Sequence, residues 1–315
     1  MALPQAFTRP RAMRRERIRS GRQARREALA FYLFILPWIF GLILFDAGPI
    51  VASFVISLTD WKILGDPNYI GAKNYDRLMD DATFFKAMRN SIYYGAGSVT
   101  LGIITSFSLA LLLNQQVRGV SLFRTIFYLP ALVSGIAVAI LWTNILHPDY
   151  GLINAALAKI GIDGPGWLKS PDWAMPGLIM MSIWSVGASV IIFLAGLQSV
   201  PAHLYEAAAL DGAGPWSKFR NVTVPMMSPV IFYNVIVGFI VSLQSFVLVL
   251  IMTDGRPANA TLVLGLYIYR MAFKFLDLGY ASAMAWVMLV VIMLITLIQF
   301  VAARFWVYYE GEPGR

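Results

Sequence analysis

Apolar residues in this chain neither alternate nor recur every third or fourth position; they run. Six apolar runs occupy 29–58, 92–113, 126–146, 178–197, 230–252 and 283–303. A helix crosses the hydrocarbon core of a bilayer with about 20 mostly apolar residues, so each run predicts one spanning helix. The first is longer than needed and carries Pro37 and Pro49, which predicts a tilt or a kink. None shows the alternation over ~10 residues that marks an outer-membrane barrel strand. The predicted fold class is an all-α polytopic membrane protein with six transmembrane helices. Between the fourth and fifth runs stands a stretch of different character, EAAALDGAGPWSKFRNVTVPMMSP (206–229).

Composition supports the membrane assignment. Of 315 residues, 58% are hydrophobic and 13% charged, with a mean hydropathy of +0.67, where soluble domains average ~45–50% apolar and ~25% charged. There is no cysteine, so a disulfide framework and a Cys-ligated metal are excluded. His147 and His203 are the two histidines, too few for a histidine-rich metal site, and no metal is expected.

Residues 1–28 form a basic arm with nine arginines, at 9, 11, 14, 15, 17, 19, 22, 25 and 26, against Glu16 and Glu27. The apolar run that follows is too long for a secretory signal and lacks an obvious cleavage site. Two readings fit the arm: a cytoplasmic anchor that touches anionic lipid, or a nucleic-acid arm. Aromatic interleaving and an adjoining nucleic-acid domain are both missing, so lipid is the expected partner and nucleic acid is not.

Six spans put both termini on one side, and the positive-inside rule tests which. With the N-terminus in the cytoplasm, that side carries 15 Lys and Arg against six acids, including Arg118, Arg124, Lys218, Arg220, Arg304 and Arg315. The outer loops carry ten Lys and Arg and ten Asp. The bias predicts N-in, C-in, and places 206–229 in the cytoplasm. The predicted organisation is the arm (1–28), a transmembrane domain (29–307) and a cytoplasmic tail (308–315).

Read by its residues, 204–213 is helix-forming, with Glu206, three alanines and Leu210. Gly212 and Gly214, then Pro215, signal a stop. Thr223-Val224-Pro225 starts the next element, since Pro225 cannot continue a helix from upstream without a break. An amphipathic connector and a projecting docking helix both fit these residues. Asp211 could cap or pair locally.

The spacing of this stretch resembles the EAA loop of permease subunits in ABC importers: E-A-A, three residues, G, nine residues, then I-x-L-P. Here it reads Glu206-Ala207-Ala208, Gly212 and Val222-Thr223-Val224-Pro225, with valines for the usual Ile and Leu. FRTIFYLPALVSGIAVAILW (123–142) resembles the third span of the carbohydrate group, which imports maltose, lactose and glycerol phosphate, GLINAAL (151–157) resembles the outer loop that follows it, and RFWVYYEGE (304–312) resembles the end of that group's first permease subunit. Arg256 departs from that pattern, standing where the group usually has a second glycine. Arginine at that point meets a steric cost if φ is positive.

The resemblance implies a heterodimeric permease in a bacterial or archaeal cytoplasmic membrane, moving a sugar, oligosaccharide or polyol. A second permease subunit, an ATPase dimer and an extracellular or periplasmic solute-binding protein are the implied partners. The loop 204–225 would be a coupling helix. Glu206 would meet a basic group on the ATPase, Ala207 and Ala208 would allow close packing, Gly212 would allow the turn, and Asp211 and Pro225 complete the set. The chain lacks a G-x-x-x-x-G-K-[ST] loop, so it is expected to be no enzyme and to bind no cofactor; ATP and magnesium belong to the partner ATPase.

Solute-pathway candidates are polar or aromatic residues inside the spans: Asn144, Trp142, Trp184, Asn234, Ser242, Gln244 and Ser245. Interhelical bonding accounts for each of them as well. Two other functions stay open at this level. A stand-alone secondary transporter or channel would need coupling groups in the spans, where Asp46 is the only acid. An intramembrane enzyme would need a motif such as H-E-x-x-H or G-x-S-x-G, and neither occurs.

Overall fold

The structure is a computed structural model and describes residues 21–63, 65–115 and 119–308. Most of the basic arm, Arg118 and the tail from 309 lie outside those residues. The chain divides into two compact units, Met1–Val55 and Ile56–Arg315.

In the first unit, α1 (Gly21–Gly41) continues through a π-helical segment, Leu42–Ala47, into α2 (Gly48–Ser57). Helix runs without interruption from Ala24 to Ser57, through both Pro37 and Pro49. Proline has no N–H and its ring collides with the carbonyl four residues back. The π segment just before Pro49 lengthens the hydrogen-bond step, with the Gly48 N–H donating to Ile43 O. Asp46 lies within it.

In the second unit, α3 (Lys73–Met79) leads to α4 (Ala82–Leu113), followed by α5 (Val120–Leu132), α6 (Gly135–Ile145), α7 (Leu152–Lys159), α8 (Pro171–Ile183) and α9 (Gly187–Ser199). Then come α10 (Ala202–Leu210), α11 (Pro215–Lys218), a π segment Phe219–Thr223, α12 (Val224–Gln244), α13 (Val247–Met252), α14 (Leu264–Tyr269), a π segment Arg270–Lys274 and α15 (Leu278–Ala303). Described residues outside helices form only the isolated bridges Thr59↔Tyr69 and Lys62↔Asp277.

Six apolar runs are not six plain helices. Among the described residues, four helices alone are long and apolar enough to cross a membrane: Ala24–Ser57, Ala82–Leu113, Pro215–Gln244 and Leu278–Ala303. The runs 126–146 and 178–197 are bent pairs, α5–α6 by 98° and α8–α9 by 50°; counting each pair as one span brings the number to six. Val133 and Ser134 adopt extended ψ values of 139° and 130° at the first bend. At the second, a Cβ on Gly187 would come 2.6 Å from Phe127 O, so only glycine lets α9 start against α5.

The fifth run also differs from its prediction. The helix starts at Pro215 rather than after Pro225, and it breaks at Ser245 and Phe246. Pro225 does not end the upstream helix, because the π segment Phe219–Thr223 absorbs its missing donor: the Val224 N–H reaches back five residues to Phe219 O. The same device thus precedes Pro49 and Pro225.

Buried side chains form two apolar clusters. One includes Leu146, Leu178, Met181, Leu264, Tyr280 and Met284. The other includes Ala110, Leu113, Phe193, Leu197 and Met227. Asp81 anchors the first: its carboxylate caps α4 by accepting the Thr83 and Phe84 N–H groups at 2.8 and 3.1 Å. Its other oxygen accepts the hydroxyls of Tyr267 and Tyr280, each at 2.7 Å. One carboxylate therefore ties α4, α14 and α15 together. Partial burial works against its charge, yet these four donors hold the Asp81 carboxyl below the usual range.

Candidate functional site

Between the two apolar clusters lies a cavity of about 250 Å³. Its wall is hydroxyl-rich: Tyr94 and Ser98 from α4, Ser182, Ser185 and Ser189 around the α8–α9 bend, and Asn234, Ser242 and Ser245 from α12 and its break. Ser98 and Ser182 donate to carbonyls of their own helices, at 2.7 and 2.6 Å. Helix breaks free backbone groups that lipid cannot satisfy, so they persist where polar side chains or a wet cavity surround them. None of the described residues lining this cavity is Asp, Glu, Lys, Arg or His.

Three of the predicted pathway residues meet here: Asn234, Ser242 and Ser245. Asn234 and Ser242 each also bond within their own helix rather than across to another: the amide donates to Val230 O at 2.9 Å and the hydroxyl to Phe239 O at 3.1 Å. The other four lie elsewhere. Trp142 and Trp184 pack edge to face with centroids 6.0 Å apart, and the buried Trp142 Nε1 has no partner. Asn144 is exposed and bonds its own helix at Ile140 O, 2.9 Å away. Gln244 is exposed at the end of α12. Tyr94, Ser98, Ser182, Ser185 and Ser189 are missing from the sequence reading. The signal was present as an i, i+3, i+4 rhythm of small hydroxyls, which an apolar helix accommodates so readily that it does not stand out.

The second feature is the stretch around α10. Glu206 and Ala207 are exposed and Ala208 is partly covered. Asp211 stands at the C-cap, its backbone N–H donating to Ala207 O. Gly212 follows at φ +77°. The Ala213 N–H donates to Ala208 O at 2.8 Å and the Gly212 N–H to Ala209 O at 3.1 Å, the paired bonds of a Schellman stop. A Cβ on Gly212 would meet nothing within 4 Å, so the backbone angle demands glycine there, not space.

This helix is fastened to the next span. Tyr205 Oη lies 3.0 Å from Thr223 Oγ1, at the end of the π segment. Beside it, exposed Trp216 contacts Phe219, Phe219 contacts Phe107, and Phe107 contacts Phe193, with centroid separations of 5.4, 6.2 and 5.4 Å. A chain of rings thus runs from the surface at α11 into a fully buried side chain. Pro225 sits in the first turn of α12. Leu210, at the tip of α10, is 90% exposed.

The turn that carries Arg256 resolves one expectation. Positive φ falls on Asp254 and Gly255, at 46° and 73°, and not on Arg256. The substitution therefore meets no left-handed strain. Partial burial opposes the Asp254 charge, but Arg270, then Lys274 and Arg256, hold its carboxyl below the usual range.

A multi-pass helical membrane protein with broken spans, a cavity bearing hydroxyls between them and a short helix bonded to the foot of one span has the form of a transport subunit. The comparisons agree. Residues 98–306 match the family described as "Binding-protein-dependent transport system inner membrane component". The chain is 38% identical over 300 residues to the probable ABC transporter permease protein YesP of Bacillus subtilis, covering 94% of this chain and 97% of that one. It is 36% identical to the lactose transport system permease protein LacF of Rhizobium radiobacter, covering 87% and 93%. A chain of a bacterial alginate ABC transporter, solved with an alginate pentasaccharide-bound periplasmic protein, superposes with a TM-score of 0.79 at 27% identity, covering 91% of this chain and 98% of that one. This chain belongs to the family of binding-protein-dependent transport system inner membrane components.

Proposed function

We propose that this chain is one of two membrane-spanning subunits of an ATP-driven importer for a sugar or oligosaccharide, with both termini and α10 on the cytoplasmic side. A solute-binding protein delivers the cargo, and a separate ATPase dimer supplies the energy. The relatives named for lactose transport, and the solved transporter named for alginate, support a saccharide. So does the chemistry of the cavity, since hydroxyls and amides are the donors and acceptors that a hydroxylated solute pairs with. At about 250 Å³ the cavity is smaller than the ~300–1,000 Å³ of most ligand sites, which supports a pathway shared with a second permease.

The observation that carries this reading is the rigid attachment of α10. An exposed helix whose C-terminus is locked by Gly212, and whose Tyr205 is bonded to the foot of the fifth span, is built to pass a push into the bundle. Glu206 and Ala207 present the face that an ATPase would contact. Closure of the ATPase would then tilt the broken spans about their bends and switch access to the cavity.

The test is reconstitution of this chain with its second permease, ATPase and binding protein in liposomes. Uptake of labelled saccharide should require ATP and the binding protein, and Gly212→Asp should abolish it while the assembled complex persists. Normal ATP-dependent uptake by the Gly212→Asp complex would overturn the coupling role. Flux through this chain alone, driven by an ion gradient, would replace the importer with a secondary transporter.

A further inference from the structure

At the opposite end of the fifth span from α10, a cavity of about 390 Å³ opens between the α6–α7 connection and the turn after α13. Thirty helical residues at ~1.5 Å each separate the two ends by about 45 Å, so this cavity faces outward if α10 faces the cytoplasm. Its floor is apolar, with Leu146, Leu250 and Ile251, and its rim holds Lys169 on one side and Asp254 and Arg256 on the other.

Charge on that rim is not balanced. Arg270 Nη2 reaches Asp254 Oδ1 at 3.0 Å, and its side chain is only 18% exposed, so this pair is the structural one. Arg256 and Lys274 stand farther from the same carboxylate, at 3.7 and 3.9 Å. The Arg256 side chain is 78% exposed. Across the cavity, Lys169 Nζ lies 3.2 Å from His147 Nε2. The acid nearest Lys169 is Asp149, 3.7 Å away and largely exposed. Of the four cations within 4 Å of Asp254 or Asp149, only Lys169 and Arg256 line the cavity, against Asp254 alone, and that carboxylate is already bonded by Arg270.

We propose that this cavity is a docking point for an acidic side chain of the solute-binding protein, received between Lys169 and Arg256. The inference rests on the importer reading above. Charge complementarity argues for it: a solvated rim with surplus positive charge attracts a carboxylate, and the apolar floor strengthens the attraction once the partner covers it. Nothing in the local fold uses the Arg256 guanidinium beyond its 3.7 Å approach to Asp254. The turn is held instead by backbone and hydroxyl bonds, from the Arg256 N–H to Thr253 O at 3.0 Å and from Thr261 Oγ1 to Arg256 O at 2.9 Å.

The experiment uses the complete transporter in lipid nanodiscs and titrates purified binding protein against ATP hydrolysis. Stimulation of the wild-type complex tests the importer reading, and its absence would sink both. Given stimulation, Arg256→Glu and Lys169→Glu should each raise the half-saturating concentration of binding protein about tenfold, steepen with both changes together, and weaken as salt rises. Hydrolysis without binding protein should stay at the wild-type rate, and Arg256→Lys should nearly restore affinity. Unchanged half-saturation in both Glu variants would overturn the proposal, as would loss of the unstimulated rate. A shift seen only when the binding protein carries a uronate-bearing saccharide, and not a neutral one, would also overturn it and assign the cavity to the cargo's own carboxylate.

Discussion

The hydroxyls of Tyr205 and Thr223 lie 3.0 Å apart, and through them a surface helix is tied to a buried point on the fifth span. Thr223 ends the π segment that precedes Pro225, so α10 is attached where the hydrogen-bond register of that span departs from α. Tyr205→Phe removes the bond and keeps the ring. A single neutral hydrogen bond is worth about 0.5–1.5 kcal/mol, too little to unfold the subunit. The expected result is intact assembly with more ATP hydrolysed per saccharide transported, measured in proteoliposomes; an unchanged ratio would show that the bond carries no coupling.

Gly212 is required for its backbone angle. At φ +77° with open space around it, Gly212→Ala should cost about 1–2 kcal/mol and lower uptake, whereas Gly212→Asn should be milder because asparagine tolerates the left-handed region. Paired uptake assays on the two variants check the order. Equal loss from both would point to a side-chain clash with the ATPase instead.

Filling the hydroxyl-lined cavity should stop solute without stopping the motor. Ser185→Leu and Ser189→Leu place apolar bulk in it, and uptake should fall to background while stimulated ATP hydrolysis continues. Asn144→Ala and Gln244→Ala alter exposed side chains outside the cavity. Such changes normally stay within ±0.5 kcal/mol, so uptake should hold to within about twofold.

Asp81 makes stability depend on pH. Its carboxyl titrates below the ordinary 3.8 in the folded protein. The stabilisation is therefore fully present above the unfolded value and is lost as pH falls through the folded one. Thermal melts of the purified subunit should drop in midpoint below about pH 4. Asp81→Asn should flatten that dependence and lower the midpoint at neutral pH, since an amide keeps the shape but not the charge that Tyr267 and Tyr280 bond to. The Tyr267 hydroxyl is pushed up by burial and by that carboxylate, so it remains a donor throughout the range.

Much of this was legible from residues alone, because it depends on quantities that add along a chain. Apolar length marks a membrane segment wherever it occurs, and five of the six runs fall, to within a residue, in apolar helices or bent helix pairs, the fifth leaving its helix at Gln244. The stop at Gly212 was legible for a similar reason: only glycine meets the left-handed angle cheaply, so its spacing from the alanines announces the turn.

Other features needed neighbours. The bends at Val133–Ser134 and before Gly187 depend on what packs there, notably the approach of Phe127 O to Gly187, which no periodicity encodes. Pro225 reads as a break, yet whether a proline ends a helix or is absorbed by a π segment turns on whether the surrounding spans hold the backbone through the longer step. Of seven polar or aromatic candidates, Asn234, Ser242 and Ser245 reach the cavity while Asn144, Trp142, Trp184 and Gln244 do not. Sequence alone determined that the chain is a bundle of apolar helices bearing a capped, projecting helix, since hydropathy and backbone preference are local. Only tertiary structure decided which hydroxyls converge and which charges share one turn, because convergence is set by helix rotation and by bends that distant residues enforce.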